Sequence, residues 1–182
     1  MSRDILFDHG NARFSYRISA LIVQGGRALL QCPVGTQDYA FIGGHVSFGE
    51  TAKDTLIREI REEIHCNAVI GDLAAVGEVY IDWSRCPDGT PRHCHQIGLY
   101  FHATVDETQL PKADRFCGYD EAGNERYNLE YIWFPLEELR EKIASKAMIV
   151  YPPEAMAHLL SGSKDVLHFT YTELPEDTPW PD

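Results

Sequence analysis

The chain has 182 residues, 44% of them hydrophobic and 11% aromatic, enough for one domain with a sizeable core. Its formal net charge of −12 disfavours nonspecific contact with DNA or RNA, which needs a basic surface. No run approaches the length of about 18 apolar residues that a membrane span needs, so none is expected.

The opening MSRDILFDHGNARF carries charges throughout and lacks the apolar stretch of a secretory signal, which makes the cytoplasm the expected compartment. Cys32, Cys66, Cys86, Cys94 and Cys117 are odd in number and scattered, the pattern of reduced thiols rather than a disulfide framework.

Phe14–Val23 (FSYRISALIV) and Arg27–Cys32 (RALLQC) are predicted strands joined across Gln24-Gly25-Gly26, a hairpin signal. A polar loop then leads through Ala40-Phe41-Ile42 to the pair Gly43-Gly44. Thr51 is the predicted N-cap of the helix that follows, with Asp54 completing a shortened capping box. Leu56, Ile57, Ile60 and Ile64 give that helix an apolar stripe for packing on a sheet. Glu59, Glu62 and Glu63 stand at i, i+3 and i+4, which places three carboxylates on one face. Like charges so close cost about 0.2–0.5 kcal/mol per pair on an isolated helix. A divalent cation among them would convert that repulsion into binding, since hard cations such as Mg2+ take carboxylate, water and phosphate oxygens. The alternative is a solvated acidic helix face.

Ala68–Trp83 is predicted to be β-rich with breaks at Gly71 and Gly77, and His95–Val105 to pair with it across a tip near Asp88-Gly89. Cys86, His93, Cys94 and His95 crowd this segment, but their spacing matches no common zinc pattern and the intervening PDGTPR is a hairpin loop. Asp106–Asn128 is the longest irregular segment, of the kind that is often functional or mobile. Leu129–Phe134 is the predicted last core strand. Pro135 then opens a helix to about Lys146, and a shorter helix covers Glu154–Leu160. Strands on both sides of a central helix, followed by terminal helices, suggest a mixed sheet with helices on both faces. Residues 1–172 are expected to form a single domain. Residues 173–182 (ELPEDTPWPD), with four carboxylates, three prolines and no base, are expected to be a frayed tail.

From Gly44 to Cys66 the chain reads GHVSFGETAKDTLIREIREEIHC. This stretch resembles the signature of the Nudix hydrolases, Gly-x5-Glu-x7-Arg-Glu-apolar-x-Glu-Glu-x-Gly-apolar, with Gly44, Glu50, Arg58, Glu59, Ile60, Glu62, Glu63 and Cys66 in register. At background usage the fixed Gly, Glu and Arg positions would coincide in such a chain with odds on the order of 10^-5. The sequence departs from the signature where His65 replaces a Gly, and from its usual flanks where Ile42 replaces a Pro and Ser47 a Glu. A Gly normally follows the helix because φ > 0 is often required there, and His tolerates that conformation better than most residues.

The resemblance implies an α/β fold, an α/β/α sandwich with a mixed central sheet. It further implies a divalent-metal-dependent hydrolase of a diphosphate linkage in a nucleoside diphosphate derivative, with Mg2+ or Mn2+ as cofactor. Among substrates, an ADP-ribose-like compound or an NDP-sugar is favoured over a nucleoside triphosphate, with loop 106–128 the expected determinant. The implied metal ligands are Glu59, Glu62 and Glu63, joined by Glu50 and by the carbonyl of Gly43 or Gly44. Arg58 is expected to brace Glu59 or Glu50 with its planar fork, the ordinary alternative being a surface pair with Glu62 at i+4. The base that takes the proton of water is either Glu62 or a glutamate before the last strand: Glu121, Glu125 or Glu130. Glu130, in LEYIWFPLEEL, resembles the family's closing segment; its ordinary reading is an outward residue on a half-buried strand. His45 lies beside the site, where it would meet phosphate. Tyr39, Phe41, Trp83, Tyr100 and Tyr127 are able to stack on a base, although most aromatics in such a chain are core. The rival function is a catalytically silent ligand-binding or regulatory domain of the same fold, and an RNA-end hydrolase fits the acidic balance poorly. The expected partner is a small nucleotide, with no nucleic acid and no membrane, and a homodimer is the assembly common in such families.

Overall fold

In the computed structural model, residues 3–122 and 125–181 are described, with the backbone alone for 119–122 and 125–127. Strands β1 (Leu6–His9), β2 (Ala12–Gln24), β3 (Arg27–Pro33), β4 (Tyr39–Ala40) and β5 (Ile42–His45) precede helix α1 (Ala52–Ile64). Next come the long β6 (Ala68–Arg85) and β7 (Pro91–Val105), then β8 (Arg115–Ala122) and β9 (Glu125–Pro135). The chain closes with α2 (Leu136–Ala144), β10 (Val150–Tyr151), α3 (Pro153–Ser161) and β11 (Leu167–Thr172). Among the described residues no helix is long and apolar enough to cross a membrane.

The sheet is mixed, as expected. Its main path runs β10-β4-β3-β2-β7-β6-β11, with β1 and β5 on β2 and the β8–β9 hairpin on β3. Strand β2 is parallel to β7 and β6 is parallel to β11, whereas the β2–β3, β2–β5, β3–β9 and β6–β7 pairs are antiparallel. Strand pleat sends alternate residues of β2 to opposite faces. Ile18, Ala20 and Ile22 join Leu56, Ile60 and Ile64 of α1 in one core, whereas Leu21 joins Leu139 of α2 and Ala155 and Met156 of α3 in the other. The result is a three-layer α/β/α sandwich. Burial of a side chain such as Leu56 or Ile60, each fully enclosed, contributes about 1.5–3 kcal/mol.

Local chemistry explains the element ends. Gly25 and Gly26 both adopt positive φ, at 56° and 74°, and close the two-residue β2–β3 hairpin whose twist demands that conformation. Thr51 caps α1 by accepting the Asp54 amide at 3.2 Å, and its hydroxyl donates to the Asp54 carboxylate at 2.6 Å. His65 ends the helix in the left-handed region at φ 55°, where the signature carries its Gly, and donates its amide to the Arg61 carbonyl.

Two expectations are corrected. The segment 106–128 is not one long loop: after a short 3-10 turn at Glu107–Gln109 it forms β8 and the first part of β9. Strand β6 is not broken at Gly77, which pairs with Gly98 in regular register and leaves room for the Phe169 ring; the irregular stretch lies between Ile70 and Ala75, around Gly71. Strands β1 and β11 are additional to the predicted set; β11 carries Phe169 into the core beside β6. Beyond β11 the Trp180 ring lies 6.1 Å from Tyr80 of β6 and 5.9 Å from His93 of β7 in edge-on contacts.

Candidate active site

Two α1 carboxylates, Glu59 and Glu62, and Glu50 just before the helix assemble around Arg58. Its Nη1 lies 2.8 Å from Glu59 and 2.9 Å from Glu62, and its Nε donates to Glu50 at 3.2 Å. The two sequence alternatives for Arg58 are thus combined: it braces Glu50 and Glu59 and also makes the i+4 pair. Burial pulls the guanidinium's proton affinity down, but Glu59, Glu62 and Glu50 together outweigh it and hold the pKa above its ordinary value. Glu50 is fixed from a second side by the Thr55 hydroxyl at 2.9 Å.

The three α1 glutamates occupy different environments. Glu62 reaches solvent with 60% of its side chain exposed, whereas Glu59 is 12% exposed. Glu63 is buried at 2% exposure and accepts the Tyr131 hydroxyl of β9 at 2.8 Å. Spacing i, i+3, i+4 puts all three on adjoining turns, but the helix packs so that the last of them enters the core beside β8 and β9. Gly118 of β8 makes that approach possible, since a Cβ there would fall 2.6 Å from the Glu63 carbonyl.

Strand β5 supplies the floor. It pairs antiparallel with β2, Gly44 opposite Ile18 and Gly43 opposite Ser19. Gly44 faces α1: a Cβ on it would lie 2.7 Å from each carboxylate oxygen of Glu59. Its neighbour points the other way. His45 stacks on Trp83 of β6, ring centroids 5.2 Å apart and planes 13° from parallel, with Arg17 and Arg13 guanidinium groups 5.5 and 5.8 Å from the same indole. Burial, with Arg17 adding repulsion, pushes the His45 pKa down to about 4, so the ring is neutral near pH 7.

The structure does not bring Glu130 to this assembly. Leu129, Tyr131 and Trp133 of β9 face α1, whereas Glu130 shares the opposite face with Ile132 and Phe134. There it receives a 2.6 Å salt bridge from Arg115. The side chains of Glu121, Glu125 and Tyr127 lie outside the described residues. Of the aromatic candidates, Phe41 and Tyr100 are core residues and Tyr39 packs edge-on against Phe134. The β7 pleat sends Cys94 into the sheet while His95 stacks on Tyr80 and His93 holds Asp82 at 2.7 Å.

Sequence reading missed four residues around the cluster. Thr55 and Tyr131 hold Glu50 and Glu63 as described. Ser47 is buried, lies 3.5 Å from Arg58 Nη2 and donates to Asp4 at 3.3 Å. Asp4 bridges Ser47 across a separation of 43 residues, which no local pattern could reveal. Thr55, one turn beyond the Thr51 cap and able to reach back to Glu50, was the one with a readable signal.

Among the described residues no three His, Cys, Asp or Glu side chains converge as a ready-made metal cage. Arg58 lies between Glu59 and Glu62, and Glu63 turns to Tyr131. The donor set nevertheless suits a hard cation in kind: carboxylate oxygens of Glu59 and Glu62 beside a bare glycine backbone whose missing Cβ leaves room for the Glu59 carboxylate.

The NUDIX domain family model matches residues 14–152. Among curated proteins, none matches the chain in sequence. Among solved structures, a mMutator MutT protein from Bacillus halodurans superposes with TM-score 0.57 at 16% identity, over 87% of this chain and 91% of that one. An ADP-ribose pyrophosphatase from Streptococcus suis gives 0.51 at 15%, over 85% and 98%. A UDP-X diphosphatase gives 0.52 at 15%, over 85% of this chain but 66% of its own length. Identities this low establish the shared fold, while the family match spans most of the chain and includes the whole glycine and glutamate cluster: the chain belongs to the Nudix family and is a Nudix-type pyrophosphohydrolase, a hydrolase acting on acid anhydrides.

Proposed function

We propose that this chain hydrolyses the diphosphate linkage of a nucleoside diphosphate derivative with the help of Mg2+ or Mn2+, an ADP-ribose-like compound or an NDP-sugar ahead of a nucleoside triphosphate. The observation that carries the reading is the gathering of Glu50, Glu59 and Glu62 around Arg58, directly beside Gly44. The preference among substrates is supported by structural neighbours that include a UDP-X diphosphatase and an ADP-ribose pyrophosphatase.

Glu59, Glu62 and a carbonyl of Gly43 or Gly44 would hold the metal, all hard oxygen donors. A bound divalent ion supplies neutralisation of the diphosphate charge and lowers the pKa of an attacking water. Glu62 is the carboxylate open to solvent, and its Oε1, the oxygen not bonded to Arg58, is the proposed acceptor of that water's proton. Arg58 and Glu50 position the carboxylates, and Tyr131 fixes Glu63 behind them. A small substrate fits the net charge of −12, which disfavours polynucleotides.

The test is turnover of ADP-ribose, NDP-sugars, dinucleoside polyphosphates and nucleoside triphosphates by the purified protein with Mg2+ or Mn2+. Glu59→Gln and Glu62→Gln proteins serve as controls, and calorimetry reads metal binding alone. Turnover abolished in both controls supports the assignment. Turnover that survives both substitutions, or calorimetry in which Glu59→Gln binds metal as well as the parent, rejects it.

A further inference from the structure

A second site lies on the sheet face away from the α1 carboxylates. Residues of α2, α3, β2, β6 and β7 line a cleft of about 500 Å3, within the roughly 300–1,000 Å3 typical of small-molecule sites. Its walls are apolar: Leu21 and Val23 from β2, Leu136 from α2, Leu159 and Leu160 from α3. At its mouth Val69 is 72% exposed, an aliphatic surface left to water.

The polar lining has one sign. The charged lining residues are both cationic, Arg140 with its Glu137 partner outside the lining and Lys164; His102 adds an imidazole, Thr104 and Ser163 are neutral, and none of the lining residues is acidic. In a chain of net charge −12 that bias is opposite to the surroundings. Arg140 bonds Glu137 at 2.6 Å through Nη1 and the Leu160 carbonyl at 3.0 Å through Nη2, so it also ties α2 to the end of α3. Lys164 is exposed and makes no ion pair among the described residues. Burial holds the His102 pKa below its usual value, with Lys164 and His158 adding to the effect and Asp72 opposing it. A cation rim around an aliphatic cavity is complementary to a molecule with an anionic head and an apolar body.

We infer that this cleft binds a small organic anion, its carboxylate, sulfonate or phosphate head at Lys164 and Arg140 and its apolar body against Leu21, Val23, Leu159 and Leu160. The site is separate from the hydrolytic centre and does not depend on the substrate assigned to it.

The probe is 1-anilinonaphthalene-8-sulfonate, titrated by fluorescence into the full folded chain, with uncharged N-phenyl-1-naphthylamine as its partner. The expected result is a single sulfonate site, tighter than that of the uncharged probe, which weakens about tenfold in Lys164→Glu, where one rim charge changes sign. Val69→Glu, at an exposed mouth position, weakens it similarly, and circular dichroism confirms that both variants fold. The inference is overturned if sulfonate binding is absent, if both variants leave it unchanged, or if the uncharged probe binds as well as the sulfonate. It is also overturned if sedimentation shows a dimer that Val69→Glu disperses, since the cleft would then be closed by a second copy of the chain.

Discussion

The same substitution at two adjacent glycines is expected to produce opposite failures. A Cβ at Gly43 would strike the Ile18 carbonyl oxygen and come within 2.8 Å of the Ser19 Cα and 2.9 Å of the Ile18 carbonyl carbon. All of these are backbone atoms of β2, so Gly43→Ala must lever β5 away from its partner strand at a cost of about 3 kcal/mol. At Gly44 the atoms nearest a Cβ belong to the far end of the Glu59 side chain, with both carboxylate oxygens at 2.7 Å. Neither glycine has positive φ, so alanine brings no backbone strain there. Gly44→Ala therefore changes stability by less than about 1 kcal/mol, because the carboxylate swings aside and the unfolded chain loses some freedom. The displaced group has to move by roughly 1 Å, which typically costs about 10^2-fold in rate when it belongs to the reacting assembly. Urea unfolding reads the first effect, and kcat/KM on the substrate found by the panel reads the second. Gly44→Ala with full activity, or with a stability loss equal to that of Gly43→Ala, would refute the placement of Glu59 against this backbone.

Arg58→Ala leaves three carboxylates without their shared cation; it is expected to lower stability by about 1–2 kcal/mol, discounted for partial exposure, and added salt should restore part of the loss in thermal melts. Arg58→Lys should recover little activity, since one ammonium does not span the three partners that the fork reaches. Tyr131→Phe removes a donor from a buried carboxylate and should cost about 1–3 kcal/mol by denaturant titration. Glu130→Gln should keep kcat/KM within about threefold and lose at most about 1 kcal/mol with its Arg115 pair; a hundredfold drop would contradict its position on the far face. Burial raises the Cys66 and Cys94 thiols to about 11, so at pH 8 only about one in 10^3 of either is thiolate. A disulfide reagent at that pH should label exposed Cys117 first, and Cys66 and Cys94 only after unfolding.

The features legible in the sequence are those fixed by near neighbours. Two successive glycines could only close a tight hairpin, Thr51 stood where a cap was needed, and His65 took the left-handed position that the signature gives to glycine. What escaped depended on partners far along the chain. Glu63 lies in phase with Glu59 and Glu62 in any helical projection, and it is Tyr131, 68 residues away, that makes its surroundings a core rather than a surface. From Leu129 to Phe134 strand β9 is buried on both faces, so apolar residues stand in both sets of alternating positions, and nothing local tells which set faces α1 or that Glu130 belongs to the other. In β8 the position that packs under α1 is Gly118, a residue that reads as a strand breaker, and this hid the hairpin within 106–128. By contrast β11 carried a fair signal: Phe169 and Tyr171 alternate with exposed His168, Thr170 and Thr172.

Strand β2 is a party wall. Val23 and Leu21 line the cleft beneath α2 and α3, Ile18 and Ala20 support α1, and Ile18 and Ser19 stand opposite Gly44 and Gly43 in the ladder. Four or five residues of one strand thus separate an aliphatic chamber from the backbone against which Glu59 rests. A tenant that shifted Leu21 along the strand axis would shift the footing of Gly43 and Gly44 too, and by thermodynamic reciprocity a ligand bound on the hydrolytic side would then change the tenant's affinity by the same factor. The two faces of this sheet have separate chemistry but a common foundation.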